Sequence, residues 1–217
     1  MRIGILGAGR MADALGTQWT RAGHELMISG RDPERTAARA RRIGPPTRVG
    51  TWAEAARFGD VVLLAVRDTA VPEVLSAAGA DDGALRGRVL VDCVNAVHSG
   101  FVLATAGGPS MAERVARQAV GARVVKAFNH CHEDVWRMTP PAFDGTPLAV
   151  PMCGDDPDAL ATVATLVRDL GCTPVEAGPL DRAGLLEATT AFLIALWHSG
   201  VDARTLLPPL THAFGPR

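Results

Sequence analysis

The first twelve residues leave this chain few folds to choose from. "RIGILGAGRMA" is an apolar strand-like run over 3–6 that breaks into Gly7 and Gly9 and enters helix-forming sequence at Arg10, with a small residue at Ala12. Gly7 lets the chain turn sharply out of a strand. Gly9 lets the backbone come close to another group, and Ala12 lets the helix pack tightly on the strand. A strand, a tight glycine turn and a helix in that order form the opening of a βαβ unit.

The rest of the chain keeps the same alternation. "HELMIS" reads as a second strand and "PERTAARARRI" as a helix with Pro33 in its first turn. "VVLLAV" (61–66) is an unbroken apolar run, as expected of a central parallel strand covered on both faces. "RVLVDC", "RVVKAF", "PLAVPMC" and "TPVEA" continue the series, with a helix over 157–170 between the last two. Such alternation predicts an α/β fold: a doubly wound, mostly parallel Rossmann sheet. We place that domain at 1–178 and a C-terminal helical segment at 179–217. Within the segment, "RAGLLEATTAFLIALWHSG" is apolar nearly all round, which predicts burial in the same domain or against a second copy. The tail "PPLTHAFGPR" reads as irregular.

Charge is nearly balanced, with 22 basic and 23 acidic residues, which argues against nucleic acid or an anionic membrane as the main partner. No apolar run has the roughly 18–20 residues of a membrane span. The start of the chain lacks the form of a signal peptide, so a cytoplasmic protein is expected. Of four well-separated cysteines, with no CxxC pair, at least three read as small core residues. The absence of tyrosine removes one common proton donor.

In a sheet of this kind ligands lie beyond the carboxyl ends of the strands. The G-x-G-x-x-A turn there suits a pyrophosphate, held by free N–H groups and the helix dipole. After the second strand stand Ser29, Gly30 and Arg31, with Arg35 one turn on. An acid at that point would grip the ribose hydroxyls of NAD. A hydroxyl and two guanidinium groups suit the extra phosphate of NADP(H) instead. Asp32 is read as a helix-start acid.

The cluster "NHCHED" follows the strand "RVVKAF". His130 and His132 are too few to make a zinc site without distant ligands, and no metal is expected. His130, at the mouth of a strand, is the best-placed proton donor and the candidate catalytic residue. The alternatives are that these histidines line a pocket or are plain loop residues beside a helix start. Lys126 is read as facing the coenzyme or as snorkelling from the sheet edge. Glu187 is read as an interface ion or a substrate contact. Trp197 and His198 are read as interface or core residues, or as a cap on the pocket from a second subunit.

The strings "GILGAGRMADAL", "SGR", "LLAV", "VDCVNA", "SMAERVARQAVGARVVKAFN" and "CGDDPDALATVATLVRDLGCTPVEAGPL" resemble, in order, the family of NADP oxidoreductases dependent on the deazaflavin coenzyme F-420. The first string alone also resembles pyrroline-carboxylate reductases. The resemblance implies hydride transfer between NADP(H) and a second redox partner, most simply the deazaflavin, in a protein that is often a homodimer. It implies that Gly7, Gly9, Arg10, Met11 and Ala12 form the pyrophosphate loop, and that Ser29, Arg31 and Arg35 form the 2′-phosphate site. Ala65, Val66, Asn95 and Ala127 would lie near the nicotinamide. Three positions depart from the pattern: Gly30 interrupts the serine–arginine pair, Ala96 replaces a proline, and His-Cys-His-Glu follows "KAFN" where small or apolar residues are usual. Two rival functions stay open: reduction of a small-molecule imine or carbonyl, and non-enzymatic NADP(H) sensing.

Overall fold

The computed structural model describes residues 1–105 and 107–214. Its first half runs β1 (Arg2–Leu6), α1 (Arg10–Arg21), β2 (Glu25–Ser29), α2 (Pro33–Ile43), β3 (Arg48–Val49), α3 (Trp52–Phe58) and β4 (Val61–Leu64). Then come α4 (Val71–Ala77), β5 (Val89–Asp92), a hairpin of β6 (Val97–His98) and β7 (Val102–Leu103), α5 (Met111–Gln118) and β8 (Arg123–Lys126). A second hairpin, β9 (Ala142–Phe143) and β10 (Thr146–Pro147), leads to β11 (Ala149–Gly154), α6 (Pro157–Asp169), β12 (Thr173–Gly178) and α7 (Ala183–His198).

Eight strands form one sheet in the order β12-β11-β8-β5-β4-β1-β2-β3. From β3 to β8 every pairing is parallel; β11 runs antiparallel to β8 and takes β12 with it as a parallel neighbour. The chain winds outward from β1 in both directions, so the strand order reverses between β1 and β4. The carboxyl ends of those strands border the crevice where such sheets take ligands.

Side-chain alternation along the strands explains why helices cover both faces. Val61 and Leu63 pack with α1, α2 and α6, whereas Val62 and Leu64 pack with α3, α4 and α5. A strand buried on both sides needs an unbroken apolar sequence, which "VVLL" supplies. The strand is two residues shorter than expected: Ala65 and Val66 already belong to the loop.

α7 differs from the expectation of all-round burial. It buries Ala183, Glu187, Thr190 and Ala191. Leu185, Phe192 and Trp197 stay 60%, 59% and 45% exposed. The tail adds exposed Leu206, Leu207, Leu210 and Phe214 beside short 3-10 turns, while 215–217, also expected to be irregular, lie outside the described residues.

Candidate functional site

The turn from β1 into α1 sits on the crevice. Gly7 has φ +139°, and a Cβ there would lie 2.2 Å from the Ala65 carbonyl oxygen. No residue with a side chain fits that close approach of the β1 and β4 ends. Gly9 is the N-cap of α1, and a Cβ on it would meet nothing within 4 Å. Among the described residues the first turn of α1 has no side-chain cap, as is also true of α4 and α7, whereas Asp32, Thr51, Ser110 and Asp156 cap α2, α3, α5 and α6. The amides that open α1 therefore keep their donors and the positive helix end for an external anion. Ala12 is fully buried under them, while Arg10 is exposed and Met11 half-buried.

At the end of β2 the predicted residues part company. Arg31 and Arg35 are exposed and form no ion pair among the described residues. Ser29 is fully buried, and its hydroxyl donates to the Ile5 carbonyl at 2.9 Å across the β1–β2 pair. Gly30 has a packing reason. A Cβ there would stand 2.3 Å from Thr36 Oγ1 and 3.0 Å from Ala8 Cβ. Thr36 donates to the Asp32 carbonyl at 2.6 Å, so the start of α2 is pressed against the glycine loop.

The loop after β8 straps the outside of α1. Trp136 is fully buried and meets Phe128 edge-on at 5.6 Å, and Phe128 meets Trp19 of α1 at 5.8 Å. Gln18 Nε2 donates to the carbonyls of Trp136 and Met138, both at 3.1 Å. Glu133 forms an ion pair with Arg10, and Arg137 donates to Asp13 and to the Arg10 carbonyl. Asp13 is buried and also pairs with Arg39 at 2.9 Å. Burial alone would raise its pKa, but hydrogen bonds from Arg39 and Arg137 hold the carboxyl below its usual value. Arg39 donates in addition to the Ala8 carbonyl at 3.3 Å, which ties α2 to the glycine loop.

His130 and His132 turn to different surroundings. His132 is exposed between Glu133 and Asp134. The His130 ring packs edge-on against Trp136 at 5.3 Å, and among the described residues neither ring nitrogen makes a well-formed hydrogen bond, although the Ala149 backbone lies close. Burial pushes its pKa down to about 4, so the imidazole is uncharged near neutral pH and holds no ready proton.

Asn95 and Asn129 meet at the ends of β5 and β8. Asn95 Nδ2 donates to the Asn129 carbonyl, and Asn129 Nδ2 donates to Asn95 Oδ1 at 3.2 Å and to Thr190 Oγ1 of α7 at 3.2 Å. Ala127 is fully buried just before them, and Phe128 takes a left-handed φ of 60° that separates its ring from the Asn129 side chain. Ala65 and Val66 are half-buried at the end of β4.

Beneath these residues lies a group of buried charges whose form the sequence did not reveal. Lys126, Asp92 and Glu187 are all fully buried. The Lys126 ammonium neither faces a ligand nor snorkels: it lies 3.0 Å from Asp92 Oδ2 and 3.0 Å from Glu187 Oε1, and donates to the Val94 carbonyl. Glu187 is likewise neither an interface ion nor exposed to a substrate. It also accepts from the amides of Met111 and Ala112 at the start of α5, at 3.0 and 3.2 Å. Thr190 stands one turn beyond Glu187 on α7. That i, i+3 spacing puts Glu187 and Thr190 on one face of α7 but says nothing of their partners.

An uncapped helix start, a glycine loop open to the outside and two exposed arginines line one edge of a doubly wound sheet. Fold and site together make a Rossmann-type sheet with a glycine turn of the kind that takes a dinucleotide pyrophosphate. Residues 2–96 match the family described as NADP oxidoreductase, coenzyme F420-dependent. The chain is 27% identical over 217 residues to the F420-dependent NADP reductase of Methanothermobacter marburgensis, covering 90% of this chain and 92% of that one. It is 30% identical over 196 residues to the metalloreductase STEAP3 of Rattus norvegicus, covering 90% of this chain but only 38% of the rat protein's length. Among solved structures, a protein from Arthrobacter sp. FB24, provisionally assigned as an F420-dependent NADP reductase, superposes with a TM-score of 0.81. It shares 26% identity, with 92% of this chain and 95% of that chain covered. The family match thus spans less than half of the chain, while the F420-dependent NADP reductases are similar to it along nearly its whole length at below 30% identity.

Proposed function

We propose that this chain passes a hydride between NADP(H) and a deazaflavin of the F420 type. The observation that carries the coenzyme half is the uncapped start of α1 beneath the open Gly9 turn, with Arg31 and Arg35 exposed at the end of β2. In this reading the amides from Gly9 through Arg10, Met11 and Ala12 hold the pyrophosphate, Gly7, whose own amide donates to the Ser29 carbonyl, shapes the turn, and Arg31 and Arg35 hold the 2′-phosphate. Ala65, Val66 and Asn95 surround the nicotinamide end, with the fully buried Ala127 packed behind them. The bound coenzyme supplies the hydride chemistry; the protein supplies position and electrostatics.

A deazaflavin is favoured over an imine or carbonyl by what the site lacks in acids. The chain has no tyrosine, and His130 is uncharged near neutral pH. Reducing a small imine or carbonyl calls for a proton on the heteroatom from a positioned acid. Transfer between two flat rings depends mainly on holding them in register. In this reading His130 is a neutral ring packed on Trp136 and does not act as the acid. The named activity of the Methanothermobacter relative supports the same acceptor.

We further propose a cytoplasmic homodimer. Four unpaired cysteines suit a reducing compartment, and among the described residues no helix is long and apolar enough to cross a membrane. Leu185, Phe192 and Trp197 give α7 an apolar surface suited to a second copy. Residues 1–178 form the dinucleotide-binding domain in this reading, with 179–217 docked on it.

The test of the acceptor is anaerobic mixing of the protein with NADPH and oxidised deazaflavin. Bleaching of the deazaflavin's visible absorbance at a rate set by the protein is expected. NADPH binding without bleaching would reject this acceptor.

A further inference from the structure

Lys126 joins parts of the molecule that are distant in sequence. Its ammonium has three N–H donors, and the structure gives it three acceptors on three segments: Asp92 at the end of β5, Val94 in the following loop and Glu187 on α7. Asp92 Oδ1 accepts from the Val94 amide at 2.8 Å, so Val94 is gripped through both its N–H and its C=O. Asn95 is the next residue. Glu187 pins α7 to the start of α5, and Thr190, one turn on, meets Asn129. Two routes of hydrogen bonds therefore leave Lys126, and they close on each other at the Asn95–Asn129 pair.

Three buried charges are a poor way to gain stability, because the loss of hydration offsets much of their attraction and apolar residues would serve as well. Burial tends to lower the Lys126 pKa, but Asp92 and Glu187 outweigh it and keep the ammonium charged. Burial raises the pKa of Asp92, an effect that Lys126 opposes. What apolar packing does not supply is direction. An ammonium with every proton committed fixes three carbonyl or carboxylate oxygens relative to one another.

We propose that Lys126 is a positioning residue for hydride transfer: through Asp92, Val94, Glu187 and Thr190 it keeps Asn95 and Asn129 rigid at the nicotinamide end of the cleft. This rests on the coenzyme reading above. Lys126 itself touches neither coenzyme nor substrate.

The test follows the motion of the bound dihydronicotinamide, which is readable whatever the acceptor. Time-resolved fluorescence anisotropy of NADPH is recorded on the wild-type chain, Lys126→Met, Thr190→Val and Thr190→Ser. In the wild type the bound ring's anisotropy decays only with overall tumbling. Lys126→Met and Thr190→Val are expected to add a fast local component while the Kd for NADPH changes by less than about threefold, since the phosphate contacts are elsewhere. Thr190→Ser, which keeps the hydroxyl, removes that component. A folded, NADPH-binding Lys126→Met and Thr190→Val with no local motion would overturn the proposal. Should Lys126→Met fail to fold, Thr190→Val alone decides, and a rigid ring in it overturns the proposal. Failure of the wild type to bind NADPH would instead refute the coenzyme reading, and the proposal with it.

Discussion

Gly7 and Ala65 approach so closely that a Cβ on Gly7 would stand 2.2 Å from the Ala65 carbonyl oxygen. The two chain ends on either side of the crevice are thereby held at backbone contact. Gly7→Ala must move β1 from β4 and also accept φ +139°, and it is expected to lose about 3 kcal/mol of stability. Gly9→Ala meets no neighbour within 4 Å and is expected to change stability by less than about 1 kcal/mol. Its methyl would instead stand where a phosphate must approach, so NADPH binding is lost while folding is kept. Denaturant melts and coenzyme titration of both variants separate the two roles.

Glu133 pairs with Arg10, the first residue of α1, and so places a carboxylate beside the proposed pyrophosphate site. Glu133→Gln releases Arg10 and removes a like charge from the phosphates. Because the arginine is largely exposed, the gain is modest: NADPH is expected to bind about threefold more tightly at low salt, with less difference at high salt. Weaker binding in Glu133→Gln would mean that the strap orders the site.

His130 gives a pH signature in stability. Its folded pKa is pushed down to about 4 from an ordinary value of 6.5. Between those values the unfolded chain binds a proton that the folded chain refuses. Stability is therefore undiminished by this group above about 6.5 and falls as pH drops toward about 4, by about 3 kcal/mol in all. In His130→Phe the slope of unfolding free energy over that window is expected to flatten. The same shift predicts that the pH profile of hydride transfer shows no ionisation near 6.5 from this residue.

The sheet was legible because its signals are local. Apolar runs such as 61–64 and the glycine turn at 7–9 each state their own conformation. The placement of Arg31 and Arg35 just past β2 was legible for the same reason. Ser29 was not: whether its hydroxyl faces outward or bonds the Ile5 carbonyl depends on strand pairing. The Lys126–Glu187 link spans 61 positions and arises from packing α7 against β8, which no local pattern encodes. In the "HCHED" cluster the contacts of Glu133 with Arg10 and of His130 with Trp136 depend on how this loop packs on α1 and could not be read locally.

Phe192 is 59% exposed on α7 in company with Leu185 and Trp197. Apolar surface of this kind on a helix suits a second copy of the chain. Sedimentation is expected to give a dimer for the wild-type chain and a monomer for Phe192→Glu, with the melting curve of the isolated protomer little changed. A monomeric wild type would remove the dimer.

Calorimetric titration with NADPH and with NADH is the most direct measurement of what the amino-terminal crevice holds. One NADPH per chain is expected, bound more tightly than NADH. Arg31→Asp should weaken NADPH by about 30-fold, the equivalent of about 2 kcal/mol for a charge-assisted phosphate contact, and barely affect NADH. Well-folded protein that releases no heat with either nucleotide would contradict the assignment of the crevice.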